Sequence, residues 1–250
     1  MKRALLIGLI LSIYAGTLSA QPGQTPLPLP SVNIGVGQAN SPSDLYITLQ
    51  ILFLITILSL APAILIMVTS FTRIVIVFHF LRQALGTQQV PPNQILIALA
   101  LFLTFFIMRP TFDEINKTAL QPYLNGQIKQ ETAFQNALKP IRTFMFKHTR
   151  EKDLALFLKI SANDKPQNRE DISTLTLIPA FVLSELRLAF QIGFLLYVPF
   201  LIIDVIIASI LMSMGMFMLP PMMISLPFKI LLFVMVDGWY LLISSVINGF

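Results

Sequence analysis

The stretch that decides the fold is LTLIPAFVLSELRLAFQIGFLLYVPFLIIDVIIASILM, residues 175–212. It is largely apolar, and its only charged residues are Glu185, Arg187 and Asp204. A helix needs about 20 consecutive apolar residues to cross the hydrocarbon core of a bilayer. This stretch is long enough to span, and its prolines at 179 and 199 are expected to kink or break the helical structure.

The rest of the chain repeats this pattern. Further apolar runs cover 45–69, 95–108 and 224–247, and charged residues make up only 12% of the sequence, against about 25% in a soluble domain. Of the 29 charged residues, 19 lie between residues 109 and 171, where amphipathic patterns predict short helices. The sequence therefore predicts an all-α integral membrane protein of kinked, proline-broken helices and helical hairpins, with a small helical insert.

The chain is expected to have five regions. Residues 1–20 are typical of a secretory signal peptide cleaved after Ala20, and an uncleaved first membrane helix is the alternative. The proline- and glycine-rich segment 21–43 is expected to be disordered. A first helical hairpin region then covers 44–108, the polar helical insert covers 109–174, and a second hairpin region with a methionine-rich loop covers 175–250.

Charge placement predicts the orientation. A cleaved signal peptide leaves the following N-terminus outside the cell membrane. The connecting loop at 70–94 then lies in the cytoplasm, and its arginines, Arg73 and Arg82, without nearby acids fit the positive-inside rule. The insert at 109–174 is expected on the periplasmic side.

Five charged residues of the apolar regions are candidates for buried charge pairing, since a charge at the bilayer centre costs about 2.5–3.5 kcal/mol or more. None has a charged neighbour three or four positions away. The candidates are Glu185, Arg187, Asp204, Lys229 and Asp237. They could be packing groups within one chain, parts of a proton or ion path, or ion pairs between subunits. Lys229 is expected to pair with Glu185 or Asp204, and Arg73 or Arg82 could supply the remaining counter-charge.

The sequence carries no catalytic signature. It has no cysteine, no phosphate-binding glycine loop and neither of the common hydrolase and metalloprotease motifs. His79 and His148 are isolated. We therefore expect neither an enzyme nor a cofactor or metal site. The interleaving of basic and acidic residues also argues against nucleic-acid binding.

The stretch MSMGMFMLPPMM, residues 212–223, gathers six methionines beside two prolines. Gly215 loosens a helix and the Pro-Pro pair ends it, so we expect a helix break followed by a loop at residues 216–219. Methionine suits a surface that must repack around varied partners. Ordinary core packing is the alternative.

Three segments resemble the FliP family, the P subunits of the flagellar type III export gate. They are SFTRIVIVFHFLRQALGTQQVPPNQILIALALFLTFFIM at 70–108, SELRLAFQIGF at 184–194 and FLIIDVIIASILMSMGMFMLPPMMISLPFKILLFVMVDGW at 200–239. Injectisome homologues share these segments, and the signal peptide favours the flagellar branch.

The resemblance implies a protein that several copies build into a gate, together with the Q and R subunits and other membrane proteins of the export apparatus. Such a gate lies in the lipid of the bacterial inner membrane at the flagellar basal body, extends toward the periplasm and passes unfolded flagellar subunits. Met216, Phe217 and Met218 match a pore gasket of the family. The rival functions are a proton- or ion-coupled transporter or channel subunit and a membrane scaffold without a pore.

Overall fold

The computed structural model describes residues 42–87, 90–161 and 168–250. All regular structure in these ranges is helical, which confirms the all-α prediction. The expected signal peptide and the following segment up to residue 41 lie outside the described residues. The helices are α1 Pro42–Met67, α2 Phe71–Ala84, α3 Asn93–Ile115, α4 Gln121–Leu124, α5 Gln130–His148, α6 Glu151–Ile160, α7 Thr174–Ser213, α8 Pro221–Met235 and α9 Gly238–Asn248. A π-helical turn, Asn116–Leu120, joins α3 to α4, and a 3-10 turn lies at Arg169–Asp171.

Three helical stretches are long and apolar enough to cross a membrane: Thr48–Met67, Asn93–Leu124 and Thr174–Ser213. Helices α8 and α9, bent by 63°, form a fourth candidate if the pair counts as one span. The second stretch exceeds the apolar run at 95–108 because the helix continues through Pro110 into the polar segment. Residues 42–52 of α1 belong to one unit of the chain, and residues 53–250 form the other.

The expectation that 70–94 is a connecting loop is wrong for most of its length. Residues 71–84 form α2, which packs chiefly against α7. Its buried apolar residues, Ile74, Val77, Phe78 and Leu81, recur at the spacing of one helix face. Because these residues bury this face completely, α2 is a central element of the apolar core.

Helix α7 contains 40 residues and is therefore about 60 Å long. It continues through Pro179 and Pro199, and ends shortly before the Pro-Pro pair. Gly193 lets α2 approach closely, because a Cβ at this position would overlap the ring of Phe80.

The insert packs on the first part of α7 through a second apolar cluster. Its buried members are Val68, which follows α1, Met108 of α3, Phe144 and Met145 of α5, and Leu177 and Phe181 of α7. Helices α5 and α6 are separated by a break at residues 149–150, where the backbone becomes extended. This cluster fixes the insert against α7 at the level of the first ion pair described below.

Candidate functional site

A buried ion pair joins α2 to α7. Arg73 Nε donates to Glu185 Oε2 at 2.7 Å, and Arg73 Nη2 donates to Glu185 Oε1, so the contact is bidentate. The two side chains are 1% and 0% exposed. Arginine suits this place because its planar guanidinium presents two parallel donors to a carboxylate. The pair neutralises both charges inside the core.

The same arginine holds the segment that follows α9. Arg73 Nη1 donates to the backbone oxygen of Gly249 at 2.8 Å, and its guanidinium lies 3.6 Å from the ring centroid of Phe250. From the insert, Lys147 Nζ donates to the backbone oxygen of Phe250 at 2.7 Å. Residues 249–250 therefore connect the membrane core to α5.

His148 lies beside this connection. Its ring centroid is 4.8 Å from that of Phe144 and 5.2 Å from that of Phe250. Burial lowers the pKa of His148 to about 4, and the neighbouring positive charges of Arg73 and Lys147 act in the same direction. The imidazole is therefore neutral at pH 7 and packs as an aromatic group.

A second ion pair joins α7 to α8. Lys229 Nζ lies 2.6 Å from Asp204 Oδ2, and the hydroxyl of Ser225 donates to the other carboxylate oxygen. Lys229 is 2% exposed and Asp204 is 24% exposed. The structure thus brings together two of the five charges that the sequence singled out, and it pairs a third, Glu185, with Arg73.

The other two predicted charges are not brought together with an opposite charge. Arg187 on α7 and Asp237 between α8 and α9 are exposed, and none of the ion pairs among the described residues includes either. Asp237 has a left-handed backbone, φ 52° and ψ 53°. Beside it, Gly238 lies so close to Phe233 that a Cβ would overlap the ring. These two residues produce the bend between α8 and α9.

The methionine-rich stretch is a well-defined break, as the glycine and prolines predict. Gly215 has φ +74°, its N–H donates to Met212, and the N–H of Met216 donates to Leu211. This pair of hydrogen bonds is a Schellman motif, which ends a helix with a left-handed glycine. Helix α8 then starts at Pro221, whose missing N–H needs no partner in the first turn.

The loop between these helices displays its apolar side chains. Met218 is 97% exposed and Phe217 is 78% exposed, whereas Met216 is only partly exposed. Met214 on one side and Met222 and Met223 on the other are also exposed. The loop combines fixed ends with flexible, unbranched side chains, an arrangement that lets the side chains adapt while the backbone stays in place.

Two polar contacts at the insert escaped the sequence analysis. Arg142 Nη1 donates to Thr174 Oγ1 at 2.6 Å, and Arg142 Nη2 donates to the backbone oxygen of Ile172 at 2.7 Å. Ser184 donates to the buried carboxylate of Asp153 at 2.7 Å. No local sequence signal marks these partners, because each pair is about 30 residues apart.

In the described ranges, no three acidic, histidine or cysteine side chains are placed to hold a metal ion.

Comparison with known proteins shows the family of the chain. Residues 54–246 match the FliP family. The chain belongs to the FliP family. It is 58% identical over 212 residues to the flagellar biosynthetic protein FliP of Bacillus subtilis, a match that covers 85% of this chain and 96% of that protein. The FliP protein of Aquifex aeolicus is 53% identical, over 81% of this chain and 86% of that protein. The FliP protein of Borreliella burgdorferi is 48% identical, over 83% of each chain.

The FliP match contains both buried ion pairs, the loop and the bend at Asp237, and it ends before Gly249. These features therefore lie within the range that the family model matches. The connection through Gly249 and Phe250 lies just beyond it.

Proposed function

We propose that this FliP-family chain is a structural and gating subunit of the flagellar protein export channel. The observation that carries the proposal is the exposed methionine and phenylalanine loop at 216–218, held between a Schellman motif and a proline-initiated helix. Copies of this loop, one per subunit, would line a narrow passage. The passage must close against water and ions at rest, and then yield to each side chain of an unfolded flagellar subunit.

The chemistry of the loop supports a seal. Methionine has several rotatable bonds and a polarisable sulphur, so it fills irregular gaps and makes contacts with many partners. The backbone at Gly215 and Pro221 fixes where these side chains project. Phe217 adds a larger and stiffer apolar group. A loop with rigid ends and adaptable side chains suits a gasket.

The membrane placement belongs to the same proposal. The signal peptide and the family resemblance favour the bacterial inner membrane at the flagellar basal body, with the insert at 109–174 on the periplasmic side. Several copies would assemble with the Q and R subunits and with other membrane proteins of the export apparatus. The exposed apolar length of α1 supports burial in lipid or against such partners.

A proton- or ion-coupled transporter is the rival function. Its main support was the set of lone charges in apolar helices. Three of those five charges are engaged within the chain, in bidentate or hydrogen-bonded pairs, and the two pairs lie far apart along α7. Charges held in this way favour a structural role over an ion path.

The experiment replaces the loop side chains. Met216, Phe217 and Met218 are changed together to glycine, and separately together to leucine as a matched control. Gly215 and Leu211 are kept, so the helix end remains. We expect both variants to assemble, the glycine variant to leak ions and the leucine variant to stay tight, measured as ion conductance and membrane potential in expressing cells. An assembled glycine variant as tight as the parent would place the seal elsewhere.

A further inference from the structure

The methionines of the described ranges differ widely in exposure. Met108 of α3 and Met145 of α5 are 1% and 0% exposed, because both lie in the apolar cluster that holds the insert on α7. The loop methionine Met218 is 97% exposed, and four others of the stretch 212–223 are exposed with it: Met212, Met214, Met222 and Met223. The chain therefore carries both protected and open thioether side chains.

The side chain of Met218 does not hold the loop together. At 97% exposure it has almost no surface in contact with the rest of the chain. The helix before the loop ends with a hydrogen bond from the Gly215 N–H to Met212, and the next helix begins at Pro221. A chemical change at the Met218 sulphur therefore leaves the loop backbone in place.

An open thioether is chemically reactive toward peroxides, which oxidise it to a sulfoxide. A lone pair of the sulphur attacks one oxygen of hydrogen peroxide, the O–O bond breaks, and a sulphur–oxygen bond forms while the other oxygen leaves as water. The sulphur gives up two electrons and the peroxide takes them, so hydrogen peroxide is the one co-reactant that the step needs. The product replaces a flexible apolar side chain by a polar one with a hydrogen-bond acceptor.

We infer that Met218, with the exposed methionines around it, is a site of oxidation by peroxides and that its sulfoxide opens the seal. A closed ring of these loops brings methionine and phenylalanine side chains together, and neither type of side chain carries a hydrogen-bond donor. A sulfoxide oxygen shut into that ring lacks a partner, which costs free energy unless the oxygen keeps its water. The apolar contact is then replaced by a hydrated one that lets ions through. The site follows from the exposure and the loop geometry, whereas its effect rests on the proposed function.

The oxidation rate of each methionine is measured on the detergent-purified full chain. Samples are treated with hydrogen peroxide, quenched at intervals and digested, and fragment masses assign each sulfoxide to its residue. We expect Met218 to react at least about tenfold faster than Met108 and Met145, because a buried sulphur reacts only when the core opens locally. Such protection corresponds to an opening free energy of about 1.4 kcal/mol or more.

Unfolding provides the control for these rates. In guanidinium chloride, which unfolds the chain, the rates of Met218, Met108 and Met145 should become equal. Equal rates of Met218 and Met108 in the folded chain would overturn the inference, and so would a difference that persists after unfolding.

The effect on the seal is measured in membrane vesicles from cells that express the chain with its partners. The test variant carries Met→Leu at all six methionines of 212–223, which keeps apolar side chains and removes every oxidisable sulphur of the stretch. Met235→Leu is the matched control, because Met235 is 76% exposed on α8 but lies outside the stretch. We expect hydrogen peroxide to raise the ion leak of the parent and of Met235→Leu above their untreated values, and this rise to be lost in the six-fold leucine variant.

A rise of the same size in the six-fold variant, or no rise in a parent whose Met218 is oxidised, would contradict the inferred effect. A seal that lies elsewhere shows separately, in the glycine variant that tests the proposed function.

Discussion

The ion pair between Lys229 and Asp204 should respond differently to the removal of each partner. Its two partners differ in exposure, since Lys229 is 2% exposed and Asp204 is 24% exposed. Asp204→Asn leaves a buried ammonium without its carboxylate, whereas Lys229→Met leaves a partly exposed carboxylate that still accepts from Ser225. We therefore expect the acid substitution to be the more damaging of the two.

The magnitudes follow from burial. Removing one member of a buried pair costs about 3–5 kcal/mol, because the other charge stays uncompensated. For Lys229→Met, the loss is nearer that of one hydrogen bond to a charged group, about 1.5–3 kcal/mol. Replacing both partners of a buried pair is often close to neutral. Adding Lys229→Met to Asp204→Asn should therefore restore stability, although each change alone reduces it.

Thermal unfolding of the detergent-purified chain measures these effects. The readout is the loss of its monodisperse peak in size-exclusion chromatography as the temperature rises. In a chain of this size, 1 kcal/mol corresponds to about 2–4 °C in Tm. Asp204→Asn should lower Tm by about 6–20 °C, and the double variant should recover much of that loss. A double variant less stable than Asp204→Asn, or a Lys229→Met variant that is the least stable of the three, would refute the reasoning.

Three other predictions concern single positions. Gly215→Ala should lower the free energy of unfolding by about 1 kcal/mol through backbone strain alone, because φ is +74° and no atom lies within 4 Å of the new Cβ. Gly126→Ala, with φ +70° and equal space, is the matched control and should give a similar loss in a thermal melt. Gly193→Ala should cost about 1–3 kcal/mol by overlap with Phe80, and a second change, Phe80→Ala, should relieve that clash, whereas additive losses would exclude it. The pKa of His148 lies at about 4 in the folded chain, below the ordinary 6.5, so the unfolded chain binds a proton here at a higher pH than the folded chain does. Stability should therefore be full above pH 6.5 and fall as the pH drops toward 4. His148→Phe should remove that part of the pH dependence.

The helical architecture could be predicted from the sequence because long apolar runs and helix breakers are local signals. The end of α7 shows this well, since Gly215 and the Pro-Pro pair determine the break through their own backbone preferences. Helix α2 shows the limit. Its arginines suggested a cytoplasmic loop by the positive-inside rule, yet Arg73 is buried because Glu185, 112 positions away, neutralises it.

The charge pairs could be predicted only as a set of candidates. Lys229 was expected to pair with Glu185 or Asp204. The packing of α8 against α7 decides the choice, because it places Lys229 beside Asp204. The contacts of Arg73 with Gly249 and Phe250 leave no local pattern, because they depend on where α9 ends in space. Long-range pairs of this kind need the three-dimensional arrangement.

The most direct test of the account is whether an exported chain passes the loop at 216–218. The chain has no cysteine, so Phe217→Cys introduces a single reactive thiol at a side chain that is 78% exposed. The partner is a flagellar subunit that carries one cysteine and is arrested in transit by a tightly folded fusion. After a mild oxidant such as copper phenanthroline is added to accept the two electrons, we predict a disulfide between the arrested subunit and the Phe217→Cys variant. We predict none with Leu156→Cys, an exposed apolar position on the insert. A disulfide at Leu156→Cys with none at Phe217→Cys would contradict the proposed passage.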